Sequence, residues 1–184
     1  MIRQLQQGMI APAFRTVDLY GNPISLESFR GHKVLLAFLR FSACAVCNLR
    51  VHHFIGRYPG WQRQGMDIVA VFESPEANMR RYVGAQNASF PLVADPKAQL
   101  YELYGVETSE EKVHATMADA NTKSFVADAV AAGFALTPEE GSNFNRIPAE
   151  FLIDERGIVR LAHYSRIITD HLPLSAIDSF AAGE

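Results

Sequence analysis

The stretch Lys33-Val34-Leu35-Leu36-Ala37-Phe38-Leu39-Arg40-Phe41-Ser42-Ala43-Cys44-Ala45-Val46-Cys47-Asn48-Leu49-Arg50-Val51 decides the fold of this chain. Its first half, up to Phe41, is an almost unbroken apolar run and predicts a buried strand, whereas residues 48–55 have the pattern of an amphipathic helix. Cys44 and Cys47, the two cysteines of the chain, therefore lie where a strand turns into a helix. Free backbone N–H groups and the positive end of the helix dipole stabilise a thiolate there, so the placement suits redox chemistry.

Strands and helices alternate on both sides of this stretch, which predicts an α/β fold with a mixed central sheet covered on both faces. Upstream, residues 14–26 predict a hairpin, and Ser25 caps a short helix. The cysteine helix is expected to end at Pro59 and Gly60. Further along we expect strands at 66–72 and 91–95, helices near 76 and over 100–104, a hairpin at 151–162 and a last helix at 174–180.

Residues 106–145 break this alternation. The segment begins with an acidic stretch, 107–112, continues as an alanine-rich and helix-prone stretch to Phe134, and ends in a loop signal at Gly141. We interpret it as a helical insert on the core, so that residues 1–184 form a single domain.

Composition and charge exclude several classes of protein. About half of the residues are apolar, a fifth are charged and the net charge is −3, without the basic block of a nucleic-acid-binding protein. No apolar run approaches membrane-spanning length, and residues 1–8 lack the apolar stretch of a signal peptide. We therefore expect a cytoplasmic protein. In that compartment a close cysteine pair is more often catalytic or metal-binding than a structural disulfide.

Three interpretations of the Cys44-x-x-Cys47 pattern compete. A structural zinc site needs four ligands, and a second cysteine pair is missing. Two inert buried thiols are the second interpretation, and a redox couple is the third and the favoured one. No metal or cofactor is expected. Arg40 and Arg50 are candidate cations beside a thiolate, although each is also compatible with a surface or packing role.

Pro148 is a second candidate for the site, because it stands three residues before Phe151, where the predicted strand at 151–154 begins. An ordinary trans proline is tolerated at a strand start. A cis Ile147–Pro148 bond would be a deliberate feature. The upstream cysteine pair shifts our prediction toward the cis form.

The order of short motifs resembles the peroxiredoxin-like (AhpC/TSA) group of the thioredoxin-fold superfamily, outside the insert. The similar segments are Ala11–Phe14, Asp18–Gly21, Val34–Arg40 with both cysteines, Val69–Glu76, Phe90–Pro96, Leu103–Val106 and Phe151–Asp154 with Gly157. The resemblance implies a three-layer α/β/α sandwich with an extra N-terminal hairpin. It also implies a thiol-dependent antioxidant enzyme in which a hydroperoxide oxidises one cysteine and the other closes a Cys44–Cys47 disulfide. A thioredoxin- or glutathione-type system would restore the dithiol, and a homodimer is possible on the same grounds.

The chain also departs from that group. If Cys47 is matched to the peroxide-attacking cysteine, Cys44 occupies the usual Thr place and Arg40 the usual Pro place, while Pro148 stands as in thioredoxins. Which thiol attacks first is therefore open: the peroxiredoxin match favours Cys47 and the thioredoxin match favours Cys44. Two alternative functions stay open as well. One is thiol–disulfide exchange without peroxidase activity, and the other is a non-enzymatic redox sensor or binding module that uses the insert as its contact surface.

Overall fold

The structure is a computed structural model that describes residues 4–184. Met1–Arg3 lie outside the described residues. They belong to the predicted domain 1–184 and to the segment 1–8, which lacks the apolar stretch of a signal peptide. The described chain contains seven strands and six α-helices. The strands are β1 (Arg15–Val17), β2 (Pro23–Ser25), β3 (Lys33–Phe38), β4 (Met66–Phe72), β5 (Leu92–Ala94), β6 (Ala149–Ile153) and β7 (Val159–Tyr164). The helices are α1 (Ala45–Arg63), α2 (Glu76–Arg81), α3 (Gln99–Leu103), α4 (Glu110–Ala118), α5 (Thr122–Ala131) and α6 (Leu174–Ala182), with 3₁₀ turns at Leu26–Phe29 and Val83–Gln86.

Five strands form one mixed sheet in the order β5-β4-β3-β6-β7. β3 runs parallel to β4, and β4 runs parallel to β5. β6 runs antiparallel to both β3 and β7. The predicted N-terminal hairpin, β1 with β2, is a separate two-stranded sheet. β3 therefore lies at the centre of the main sheet, and its carboxyl end points to the cysteines.

The two faces of β3 enter two separate cores, because side chains of a strand alternate between its faces. Leu35, Ala37 and Leu39 pack in a cluster with buried residues of α1 and α6. Val34, Leu36 and Phe38 pack on the other side with Tyr101 of α3 and Tyr104, which follows it, and with residues around the N-terminal hairpin. Helices thus cover both faces of the sheet, and the predicted three-layer α/β/α fold is confirmed.

The predicted end of the cysteine helix at Pro59 is wrong, since α1 continues to Arg63. A proline inside a helix removes one backbone N–H donor and disturbs the preceding turn. On either side of it, however, Tyr58 and Trp61 are buried in the core, and Trp61 Nε1 donates to Asp178 Oδ1 of α6 at 2.8 Å. Burial of two aromatic side chains outweighs the local penalty of Pro59.

The two ends of the insert are hydrogen-bonded to each other where the insert meets the core. Thr108 and Arg146 form an isolated antiparallel bridge, Ser109 N–H donates to Asn145 C=O at 2.8 Å, and Ile147 N–H donates to Glu107 C=O at 3.1 Å. Between these points lie α4 and α5, as the composition predicted. The helix-prone stretch forms two helices, because Asp119 ends α4 as its C-cap and α5 begins only at Thr122.

The prediction of a cis Ile147–Pro148 bond is wrong, since the peptide is trans. The extended, trans approach to β6 lets both flanking backbone groups pair. Ile147 N–H reaches Glu107, and Pro148 C=O accepts from Ser165 N–H at 3.1 Å. Because Pro148 stands before the first residue of β6, its missing N–H removes no bond from the ladder. Within residues 4–184, no helix has both the length and the apolarity needed to cross a membrane.

Candidate active site

The two cysteines occupy the first turn of α1, directly after the loop that leaves β3. Cys44 is the N-cap residue of the helix, and its Sγ accepts from Cys47 N–H at 3.4 Å. Both thiols are free and buried, with Cys44 5% exposed and Cys47 completely covered. A sulfur at an N-cap receives helix N–H groups that have no partner in the helix, which is the placement predicted from the sequence.

Arg40 is fixed beside Cys44. Its guanidinium group contacts the rings of Phe41 and Phe144, 5.0 and 4.9 Å from their centroids. Arg40 Nη1 donates to Cys44 Sγ at 3.8 Å, while Nε and Nη2 donate to the carbonyls of Arg146 (3.1 Å) and Phe144 (2.6 Å). The structure therefore brings together Arg40, Cys44 and Cys47 of the predicted site residues.

The environment separates the two thiols in acidity. Burial alone would raise the pKa of Cys44, but hydrogen bonds from the thiol and backbone of Cys47, together with the Arg40 charge, lower that pKa to about 6. Burial raises the pKa of Cys47 well above its usual range, and the hydrogen bond and negative charge of Cys44 raise it further. At neutral pH Cys44 is thus the thiolate, and Cys47 is the thiol that donates to it.

Cys44 lines a cavity of about 460 Å³ above the start of α1, and Cys47 does not. Arg40, Phe41 and residues 43–46 contribute one side of this cavity. The insert contributes most of the rest through α4, α5 and the segment 136–144, and Ile168 and Thr169 complete the lining. The insert is therefore part of the candidate site, a role that composition alone did not indicate.

Glu139, in the last part of the insert, joins the insert to the cysteine loop. Its side chain is buried, and one carboxylate oxygen accepts from Ser42 Oγ and Ala43 N–H, both at 2.9 Å. The other oxygen accepts from Ser74 Oγ at 2.6 Å and from Asn78 Nδ2 at 3.1 Å. Sequence reasoning missed Glu139, because nothing in the local pattern distinguishes it from its exposed neighbour Glu140.

Arg50 does not act on the thiolate as the sequence suggested. It forms a buried bidentate pair with Glu150 of β6, with Nε–Oε1 at 2.7 Å and Nη2–Oε2 at 2.8 Å. Burial would raise the pKa of Glu150, but the charge and hydrogen bonds of Arg50 and His171 together outweigh burial and hold that pKa well below its usual range. Arg50 faces the sheet because it compensates this carboxylate. A lone Glu within the apolar strand at 149–153 was the sequence signal for such a partner.

Pro148 lies on the same edge of the sheet as the cysteine loop, one residue before Ala149, which is paired with Phe38 at the end of β3. It is buried, but it does not line the cavity above Cys44. Its assignment to the catalytic site stays a prediction.

Comparisons with known proteins agree with this architecture. A model of the AhpC/TSA family matches residues 8–162. A Mycobacterium tuberculosis protein that carries a peroxiredoxin name is 25% identical over 125 residues, which are 68% of this chain and 80% of that protein. The thiol-disulfide oxidoreductase ResA of Geobacillus thermodenitrificans is 33% identical over 100 residues, 54% of this chain and 57% of ResA. The crystal structure of peroxidoxin BcpB from Mycobacterium tuberculosis has a TM-score of 0.66 over 98% of this chain and 96% of that chain, at 14% identity, which is a likeness of fold.

Proposed function

Because the chain belongs to the AhpC/TSA family, with a match over residues 8–162, we propose that it is a thiol-dependent peroxidase that reduces hydroperoxides through a Cys44–Cys47 couple. The observation that carries the proposal is that the two thiols of one helical turn differ in pKa and in access to the cavity. Cys44 has a lowered pKa and lines a cavity, while Cys47 lies fully buried next to it with a raised pKa. This difference in pKa and access favours Cys44 as the attacking sulfur and Cys47 as the resolving sulfur.

In the first step the Cys44 thiolate attacks the terminal oxygen of the hydroperoxide. The O–O bond breaks, a sulfenic acid forms on Cys44, and the departing alkoxide takes a proton from solvent to leave as an alcohol. The Arg40 guanidinium, in contact with Cys44 Sγ, is placed to stabilise the negative charge that moves toward the leaving oxygen. Arg40 thereby supports both the thiolate and the transition state.

In the second step Cys47 attacks the Cys44 sulfenic acid. The S–S bond forms, the proton of the Cys47 thiol and the hydroxyl of the sulfenic acid leave as water, and the peroxide has been reduced by two electrons. Both sulfurs lie in the first turn of α1. The disulfide therefore forms by local adjustment of one turn.

Cysteine variants test this proposal directly. We expect one equivalent of hydrogen peroxide to convert the wild-type chain to the internal disulfide, read by intact mass. Cys47→Ser is expected to hold a sulfenic acid on Cys44 that a dimedone probe traps, and the matched variant Cys44→Ser is expected to give no adduct. Adduct formation in Cys44→Ser alone would reverse the assignment, and absence of an adduct in both variants would refute peroxidase activity.

Thiol–disulfide exchange is the second candidate function, and the Cys-x-x-Cys pair at a helix N-cap favours it, because that placement suits exchange as well as peroxide attack. The burial of Cys44, which is 5% exposed, argues against a protein disulfide as substrate, since the attacked sulfur must reach Sγ inside the cavity. Stopped-flow oxidation by peroxide, compared with insulin reduction, separates the candidates. Peroxide rates no faster than those of a free thiol, together with rapid insulin reduction, would favour exchange. Cytoplasmic location and a homodimer stay predictions.

A further inference from the structure

We propose that the oxidised protein is reduced through the same cavity by a small thiol of low charge, and not by a redox protein such as thioredoxin. The inference rests on the proposed Cys44–Cys47 disulfide and names the partner that returns it to the dithiol. It differs from the thioredoxin- or glutathione-type reductant that the family resemblance implied, because it specifies an uncharged small thiol.

The first argument is access to sulfur. A thiolate that reduces a disulfide must attack one of its two sulfur atoms along the S–S axis. Cys47 is completely covered in the structure, whereas Cys44 lines the cavity. The reductant therefore has to attack Cys44 from within a space of about 460 Å³. That volume lies in the range of about 300–1,000 Å³ that is usual for small-molecule sites.

The second argument is that the insert, which forms one wall of the cavity, is hydrogen-bonded to the core. Cys44 is only 5% exposed. A cysteine of a partner protein arrives with its neighbouring chain, so it reaches Sγ of Cys44 only when the insert moves. The insert is held by Glu139, which receives hydrogen bonds from Ser42, Ala43, Ser74 and Asn78 of the core. A second attachment lies close by, where Arg40 Nη2 donates to Phe144 C=O. Opening the wall breaks both attachments and leaves buried polar groups without partners.

The third argument concerns charge. Arg40 and Glu139 supply the charged side chains of the cavity lining, and both already have hydrogen-bond partners from the protein. Buried apolar residues such as Ala45, Val46 and Ile168 form much of the remaining wall near Cys44. A thiol that carries several charges would lose its hydration there without compensation. An uncharged thiol avoids that penalty.

The chemistry balances with two molecules of thiol. The first thiolate attacks Cys44 Sγ, forms a mixed disulfide and releases Cys47 as a thiolate, which takes up a proton. The second thiolate attacks the sulfur of the bound thiol, releases the Cys44 thiolate and leaves as the small-molecule disulfide. The protein gains two electrons, and the two thiols are oxidised to one disulfide.

The experiment starts from protein oxidised with diamide, so that its result does not depend on peroxidase activity. Second-order rates of reduction are measured with 2-mercaptoethanol, glutathione and reduced thioredoxin. Each rate is divided by the rate for an oxidised linear peptide of residues 42–49, which removes intrinsic differences between the reductants. We expect 2-mercaptoethanol to react within about 10-fold of the peptide, glutathione more slowly, and thioredoxin at least about 100-fold more slowly than with the peptide.

The outcomes are distinct. Thioredoxin that reduces protein and peptide equally fast would overturn the proposal, as would 2-mercaptoethanol that is as strongly excluded as thioredoxin. Glutathione as fast as 2-mercaptoethanol would overturn the argument from charge. If diamide forms no internal disulfide, the proposed couple itself fails, which is a separate result from failure of the reductant assignment.

Glu139→Ala tests the cause of the exclusion. Weakening the attachment of the insert is expected to raise the rate of reduction by thioredoxin about 10-fold and to change the rate with 2-mercaptoethanol little. An unchanged thioredoxin rate would refute the proposal that the attached insert excludes thioredoxin. Asn78→Ala, which removes one of the four hydrogen bonds, replaces Glu139→Ala if circular dichroism shows that the latter does not fold. A smaller rise in the thioredoxin rate is then expected, and no rise would count against the proposal in the same way.

Discussion

Replacement of Arg40 by glutamine is the perturbation whose effect on the site follows most directly from the structure. The substitution removes the positive charge and the Nη1–Sγ contact at Cys44 but keeps a polar side chain. Cys47 N–H and the Cys47 thiol still donate to Cys44. We therefore expect the pKa of Cys44 to rise from about 6 toward, but not beyond, the ordinary value of 9.0.

The size of the effect follows from the population of the thiolate. A pKa of about 6 gives a thiolate fraction of roughly 0.9 at pH 7, and a return to 9.0 would reduce that fraction to roughly 0.01. With the Cys47 hydrogen bonds retained, we expect a rise of at least about one pKa unit, which leaves a thiolate fraction of roughly 0.5 or less. Reactivity at pH 7 falls accordingly, whereas at high pH the two proteins converge.

The assay is the pH dependence of alkylation by iodoacetamide, with the modified cysteine identified by mass spectrometry. Arg63→Gln is the control, because it removes an exposed arginine at the far end of the same helix. The midpoint of Cys44 alkylation is expected to move upward in Arg40→Gln and to stay unchanged in Arg63→Gln. An unchanged midpoint in a folded Arg40→Gln protein would refute the role assigned to the guanidinium.

Three further predictions concern stability and the shape of the cavity. Glu150→Gln breaks the buried pair with Arg50 and is expected to lower the free energy of unfolding by about 3–5 kcal/mol in urea titrations. Because the folded-state pKa of Glu150 lies below its unfolded value, the wild type should lose this contribution as the pH falls below about 4.3, and the variant should show a flatter acid profile. Pro59→Ala restores a helix N–H at an exposed position and is expected to stabilise the chain by about 1–2 kcal/mol, whereas Pro75→Ala at the N-cap of α2 should give no such gain. Val126→Phe narrows the cavity, so oxidation by cumene hydroperoxide should slow at least about 10-fold while oxidation by hydrogen peroxide changes less than about 2-fold. Unchanged rates for both peroxides would place the substrate elsewhere, and equal slowing would refute selection by size in the cavity.

The sequence predicts those parts of the fold that depend on neighbouring residues. The apolar run of β3 and the helical spacing after Cys47 are local patterns, and they place the cysteine pair correctly between strand and helix. The alternation of elements likewise predicts the mixed sheet. Pro59 shows the limit of the local rule, since the penalty it predicts is overcome by Trp61, whose partner Asp178 lies more than a hundred residues away.

The site residues that the sequence did not identify depend on contacts across long separations. Glu139 meets Ser42 and Ser74, and Arg50 meets Glu150, only after the sheet has formed. Hydrophobic periodicity and secondary-structure propensity carry no information about such long-range pairs. Glu150 is the exception in principle, because a carboxylate in a buried strand demands a cation, and Arg50 on the facing helix was available.

The backbone bridge between Thr108 and Arg146 has a consequence for how the insert of this protein could be exchanged. The two ends of the segment between them are already hydrogen-bonded to each other, so the sheet does not depend on what is spliced in between. A shorter or longer segment grafted at that junction would leave the sheet in place, but it would also have to replace Glu139 and Phe144, which hold the cysteine loop and Arg40. A library of grafts at residues 109–145 that keeps Glu139 and Phe144 would therefore vary the lining of the cavity around Cys44 without releasing Arg40 or the cysteine loop.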